Sequence, residues 1–119
     1  MEEHREANRR AGDRQAGFND LLIDSVDETF TKVLGAKATT ILYNHWSTRL
    51  GMIREEIPCN LPKFFESMDE IFGTGYKTIG EQVIRKLYAK AEIPLEYSEN
   101  RPPLEYAKEL KHILTKKPP

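Results

Sequence analysis

The chain of 119 residues is long enough for one domain with its own core, and its 31% charged and 39% hydrophobic residues are typical of a soluble globular protein. The formal net charge of −1 provides no overall attraction to nucleic acid or to an anionic membrane. The single cysteine, Cys59, excludes an intramolecular disulfide. No apolar run is long enough for a signal peptide or a membrane span. Together these features predict a cytoplasmic protein without a membrane partner.

The N-terminal residues 1–16 are predicted to form a short polar tail. Acidic residues and arginines alternate there too closely to leave one apolar helix face. We expect this tail to be flexible or to order only against a partner, and residues 17–119 to form a single helical domain.

Two helices are predicted in the first half of that domain. The first runs from about Asn19 to Leu34, and Gly35 stops it. Its predicted inner face consists of Phe18, Leu21, Leu22, Ser25, Val26, Phe30, Val33 and Leu34. The second runs from about Ala38 to Leu50 and ends before Gly51. Its predicted stripe consists of Ala38, Ile41, Leu42, His45 and Arg49, with Trp46 beside it.

A connector follows over residues 52–60, where Pro58 interrupts any longer helix but leaves room for one short turn. Ile53 and Ile57 are predicted to attach this connector to the core. The third helix starts near Asn60 and ends at Gly73, with Pro62 in its first turn. Its predicted inner residues are Leu61, Phe64, Phe65, Met68, Ile71 and Phe72.

The fourth helix is predicted to open between Tyr76 and Thr78, where Thr78 and Glu81 have the spacing of a capping box. Gly80 lies on its apolar face, which predicts a close crossing with a neighbouring helix. That face consists of Tyr76, Ile79, Val83, Ile84, Leu87 and Tyr88. After a loop, a last helix from about Pro103 to Leu114 places Tyr106, Ala107, Leu110, Ile113 and Leu114 inward. The sequence therefore predicts an all-α fold, a compact bundle of about five helices.

No motif in the chain indicates an enzyme, a cofactor or a metal. The glycines around Lys77 and Thr78 lack the spacing of a phosphate loop and have no preceding strand, so they predict a turn between helices. His45, Cys59, Asp69 and His112 lack the paired spacing of a zinc site. Cys59 with His45 would be the minimal nucleophile pair, but no third orienting group can be named.

Two non-enzymatic functions remain for the chain. The first is a protein-interaction module that binds a partner or forms a homodimer, because the chain has more aromatic residues than its inner stripes need. The candidate contact residues are Tyr43, Trp46, Tyr97 and Tyr106. The alternative is a DNA-binding regulator in which the third and fourth helices form a helix-turn-helix. Its candidate contact residues are Lys77, Arg85, Lys86 and Lys90.

The run from Leu50 to Lys90 resembles a family of small archaeal domains, the Nitrosopumilus output domains, which occur alone or at the end of signalling proteins. The resemblance is carried by Gly51, Ile53, the Glu55-Glu56-Ile57-Pro58 stretch, Phe64 or Phe65, the Ile71-Phe72-Gly73 triplet with Gly75, Ile79 and the Leu87-Tyr88 pair. It implies a signalling or regulatory output domain and supplies no catalytic residue. A helical interaction module is therefore our first hypothesis.

Overall fold

The structure is a computed structural model that describes residues 14–115, with side chains from Gly17 onward. Its five α-helices are α1 (Arg14–Leu34), α2 (Ala36–Leu50), α3 (Leu61–Phe72), α4 (Tyr76–Ala91) and α5 (Pro103–Thr115), with two 3₁₀ segments, Arg54–Cys59 and Gly73–Gly75. Within the described residues every regular element is helical, which confirms the predicted all-α bundle. Positions 1–13 of the predicted polar tail lie outside the described residues. The last three tail positions, Arg14 to Ala16, belong to α1.

Helix α1 is the centre of the bundle and packs against α2, α4, α5 and the 3₁₀ segment Arg54–Cys59. Its inner face contains an apolar residue at every fourth position, Phe18, Leu22, Val26 and Phe30, all of which are fully buried. Because α1 contacts most of the other elements, it is buried along most of its length. This explains why the sequence period of α1 predicts its inner face well.

An aromatic cluster fills the space between α1, α2 and α3. The Trp46 ring lies 5.9 Å from the Phe30 centroid and 5.1 Å from the Phe64 centroid. Its Nε1–H donates to the Ser67 hydroxyl at 2.6 Å, so the one polar atom of the indole is satisfied inside the core. Trp46 therefore joins α2 to α3 by packing and by a buried hydrogen bond.

The predicted inner faces are wrong at five apolar positions. Ile41 is 60% exposed, and the inner face of α2 is instead formed by Thr39, Leu42, Tyr43 and Trp46. The reason is that, among the described helices, α2 runs alongside α1 only and reaches α3 through Trp46, which leaves most of its circumference outside the core. The remaining positions are also partly exposed and lie at element ends that their neighbours do not cover: Val33, Ile53, Ile71 and Ile113. Near Ile53 the connector uses Met52 as its buried anchor, in addition to the predicted Ile57.

The connector between α2 and α3 is also attached to the bundle by charge. Arg54 donates from Nε to both carboxylate oxygens of Asp27 at 3.1 Å and forms an ion pair with the same group. The Tyr43 hydroxyl donates to Asp27 as well. Partial burial is the main cause that raises the pKa of Tyr43, and the negative charge of Asp27 raises it further, so the hydroxyl remains a donor. One carboxylate on α1 thus holds both α2 and the 3₁₀ segment.

The junction between α3 and α4 is a tight turn built on Gly73. This residue has φ of +57°, a conformation that costs little only for glycine, and the chain continues through the 3₁₀ segment directly into α4. The predicted capping box is wrong, because α4 already begins at Tyr76 and no side-chain cap bond forms there. Glu81 instead pairs with Arg85 one turn along, at 2.7 Å.

Helices α4 and α5 approach closely at Gly80, as the sequence predicted. A Cβ added to Gly80 would lie 2.7 Å from Cγ of Pro103, well inside van der Waals contact. The absence of a side chain therefore lets the first turn of α5 rest directly on α4. None of the described helices has the length and apolar character needed to cross a bilayer.

Candidate functional site: the tyrosine cleft

The loop between α4 and α5 is held in place by tyrosines. The Tyr97 ring stacks on the Tyr106 ring of α5, with centroids 4.7 Å apart and planes inclined by 17°. The backbone N–H of Ser98 donates to the Tyr106 hydroxyl at 2.7 Å, and the Tyr88 hydroxyl of α4 donates to the Tyr106 carbonyl at 2.8 Å. Buried Tyr106 thus connects the loop to α4 and fixes the position of Tyr97.

This arrangement opens a cleft of about 520 Å³, which we call the tyrosine cleft. Its volume lies within the range of small-molecule sites, about 300–1,000 Å³. It is bounded by the α3–α4 junction, the start of α4 and the loop before α5. The lining residues are Thr74, Tyr76, Lys77, Thr78, Glu81, Tyr97, Glu99, Asn100, Arg101, Pro102 and Pro103.

The charges of the cleft are partly satisfied within the chain. Glu81 pairs with Arg85, and Arg101 pairs with Glu109 at 2.7 Å. Within residues 14–115, Lys77 and Glu99 form no ion pair or side-chain hydrogen bond. The cleft therefore offers one ammonium group and one carboxylate to a bound molecule.

The two tyrosines of the cleft are protonated donors. Burial is the larger cause and the charge of Asp69 the smaller one, and together they raise the pKa of Tyr76 to about 12. Burial, followed by the charge of Glu81, also raises the pKa of Tyr97. Neither hydroxyl has a hydrogen-bond partner in the part of the chain that the structure describes. Both can therefore donate to a ligand at neutral pH.

No protein-family model, curated protein or solved structure matches the chain. The resemblance to the Nitrosopumilus output domains, which rests on the run from Leu50 to Lys90, therefore stays a prediction. The functional argument then depends on the geometry of the candidate residues.

The aromatic candidates lie in different places. Trp46 and Tyr106 are only 1% and 3% exposed, so they belong to the core and offer no contact surface, contrary to prediction. They are buried because each ring closes a junction between helices. Tyr43 is half-buried and donates to Asp27, away from the cleft. Of these four candidates, only Tyr97 lines the tyrosine cleft.

The basic candidates are similarly divided. Lys90 contacts Glu28 of α1 at 2.8 Å, and Lys86 lies 3.7 Å from the same carboxylate. Arg85 pairs with Glu81, and its guanidinium lies 5.4 Å from the Tyr97 ring centroid. Lys77 lines the cleft beside Tyr97. The structure thus brings together one candidate from each hypothesis, whereas the other three cations are already paired with acids.

We expect the wild-type protein not to retard duplex DNA in a gel at low salt, because the carboxylates of Glu81 and Glu28 offset most of the positive charge of these three cations. Glu28→Gln provides the control, since it removes the carboxylate that holds Lys86 and Lys90 and should increase any weak retardation. Retardation by the wild type that falls steeply with salt, with a slope that Lys86→Glu flattens, would instead establish phosphate contacts by α4.

Two of the residues considered for a metal site lie in the same groove. Cys59 and His112 share an open groove of about 380 Å³ with Lys108 and Lys111. The Lys111 ammonium group in that groove donates to the Pro58 carbonyl at 2.8 Å. Across residues 14–115 no group of three or more His, Cys, Asp or Glu side chains is arranged to hold a metal ion.

Proposed function

We propose that this chain is a non-enzymatic helical interaction module that recognises a protein partner through the tyrosine cleft. The observation that carries this proposal is the cleft itself, where aromatic and proline side chains lie beside two tyrosine hydroxyls, a lysine and a carboxylate that have no partner within residues 14–115. Ligand sites are concave and contain placed polar groups that orient the bound molecule. Tyrosine is also among the residues that most often contribute strongly to protein interfaces.

The chemistry of the cleft favours binding over catalysis. Both phenols are protonated at neutral pH, as tyrosines are at their ordinary pKa of about 10, and burial raises the pKa of Tyr76 and of Tyr97 further from the range of a general base. The Glu81 carboxylate is held by Arg85. In this proposal the module is a cytoplasmic output domain of a signalling or regulatory system, as the resemblance implies, and a second copy of the chain is the simplest partner.

A photo-cross-linking experiment in the native cell tests the proposal. Benzoyl-phenylalanine placed at Tyr97 keeps an aromatic ring in the cleft and should form a covalent adduct with one partner protein, or with a second copy. The same residue at Ile41 is the matched control, because Ile41 is exposed on α2, which contributes no residue to the cleft. The same adducts at both positions, or none at Tyr97, would contradict the proposal.

Self-association is measured separately by sedimentation velocity. If the partner is a second copy, the wild-type protein should sediment as a concentration-dependent dimer, and charge reversal at Lys77 should shift it toward the monomer. An adduct of twice the chain mass would identify the same state in the cell.

A further inference from the structure

We infer that the open groove between α5 and the end of the connector binds a phosphate group. We call it the basic groove, and its lining residues are Pro58, Cys59, Leu61, Pro62, Lys108, Lys111, His112 and Thr115. It shares no lining residue with the tyrosine cleft, so the inference is independent of the proposed function. It is carried by three basic side chains that line one groove with no carboxylate among the lining residues.

The three basic side chains lie on one face of α5. Lys108, Lys111 and His112 have the i, i+3 and i+4 spacing of neighbours on a helix surface, where Cβ atoms are about 5–6 Å apart. Side chains of this length at such positions reach the same small anion. The groove they line has a volume of about 380 Å³, which lies within the range of small-molecule sites.

The positive charge of the basic groove is not balanced by nearby acids. Within residues 14–115, neither Lys108 nor His112 forms an ion pair or a side-chain hydrogen bond. Glu109, which follows Lys108 on α5, is held by Arg101 at 2.7 Å. Glu105 lies one turn before Lys108 but pairs with none of the described cations. The groove thus differs from the outer face of α4, where the cations lie beside carboxylates.

Lys111 is already held in position for an anion. Its ammonium group donates to the Pro58 carbonyl at 2.8 Å and lies 5.8 Å from the Phe18 ring centroid. An ammonium group has three N–H donors, so this hydrogen bond leaves two for a ligand. The neutral carbonyl does not cancel the charge of Lys111. Because the side chain is fixed before binding, it loses little conformational entropy when an anion arrives.

A phosphate monoester matches this set of donors better than a carboxylate does. It carries a charge of about −1.5 to −2 at pH 7 and has three acceptor oxygens. One oxygen is therefore available for each of Lys108, Lys111 and His112, and the charge balances both ammonium groups. A carboxylate has two oxygens and a single charge, which leaves one lysine uncompensated. Lysine binds phosphate as a point charge, whereas arginine, which is absent from the lining, provides bidentate recognition of carboxylates.

An NMR titration of the isotope-labelled full-length protein tests the inference. Inorganic phosphate is the probe, and sodium chloride at matched ionic strength is the reference. We expect phosphate to shift the amide signals of residues 59–61 and 108–115 in a saturable way, with a Kd on the order of 1 mM. Acetate should bind there about tenfold more weakly, because it has one charge and two oxygens.

A peptide distinguishes two sources of the phosphate group. A short alanine peptide with one central phosphoserine is compared with inorganic phosphate and with the same peptide carrying serine. Tighter binding of the phosphopeptide would support the inference and identify a phosphorylated protein segment as the source. Equal binding of phosphopeptide and phosphate would support it with a small phosphorylated molecule as the source. Equal binding of the serine peptide would overturn it.

Two matched substitutions locate the site. Lys108→Gln removes the charge of an exposed side chain, so the fold should be unaffected and phosphate affinity should fall roughly three- to tenfold. Lys37→Gln is the control, because Lys37 is exposed and forms no ion pair among the described residues but lies on α2, outside the groove. It should leave the affinity unchanged.

The inference would be overturned by the absence of a saturable shift at the basic groove, or by an equal loss of affinity in both variants. Acetate that binds as tightly as phosphate would overturn it as well. Cross-linking at Tyr97 reports on a different surface, so these results leave the test of the proposed function untouched.

Discussion

Phe65→Ala is expected to lower the free energy of unfolding by about 3–5 kcal/mol, the usual cost of removing a buried phenylalanine ring. Phe65 is 2% exposed and packs edge to face on Phe64, with the ring centroids 5.1 Å apart. Phe64 in turn contacts Trp46, so the cavity would open beside the aromatic cluster that joins α2 to α3. Single domains are usually stable by only about 5–15 kcal/mol, so this loss is a large fraction of the total.

The measurement is chemical denaturation followed by the fluorescence of Trp46, the only tryptophan in the chain. Ile71→Ala is the matched control, because Ile71 lies on the same helix and was predicted to face the core but is 38% exposed. It should cost clearly less than Phe65→Ala, about 1–2 kcal/mol, since more than a third of the Ile71 surface is already in water. A similar loss in both variants would mean that the buried face of α3 is assigned wrongly.

The sequence predicted the helices well because their signals are local. Periodic apolar residues, the glycine after each of the first three helices and Pro62 in the first turn of α3 are written in short stretches of chain. Helix packing is not local, and this explains the errors at Ile41, Ile71 and Ile113. Each lies on a regular stripe, but no neighbouring element in the described part of the chain covers it fully.

The site could be predicted only in fragments. Tyr97 and Lys77 were each named, but for different functions, because their proximity depends on how the loop before α5 folds back onto α4. The stack of Tyr97 on Tyr106 creates that proximity and joins a loop residue to a helix residue. The pairing of Glu28 with Lys90 was equally hidden, since 62 residues separate them. A sequence gives residue types, whereas these contacts depend on the packed bundle.

Gly80→Leu is expected to destabilise the protein by a net of about 1–3 kcal/mol through overpacking. Leucine has a helix propensity about 0.8–1 kcal/mol better than glycine, so the overpacking must exceed that gain. We expect that it does, because even a Cβ at Gly80 would lie 2.7 Å from Pro103 Cγ, and the proline ring is fixed at the start of α5. Leucine would force α5 away from α4, and denaturation of the variant measures the cost.

The same displacement should reach the tyrosine cleft, because Pro103 is one of its lining residues. Gly80→Leu is therefore expected to shift the amide NMR signals of residues 97–101 as well as to lower stability. Gly75→Ala is the control: Gly75 has φ of −76° and nothing within 4 Å of an added Cβ, so alanine should be tolerated there and stability should change by less than about 1 kcal/mol. If Gly80→Leu left both stability and the amide signals of residues 97–101 unchanged, the close crossing of α4 and α5 would not hold the cleft in shape.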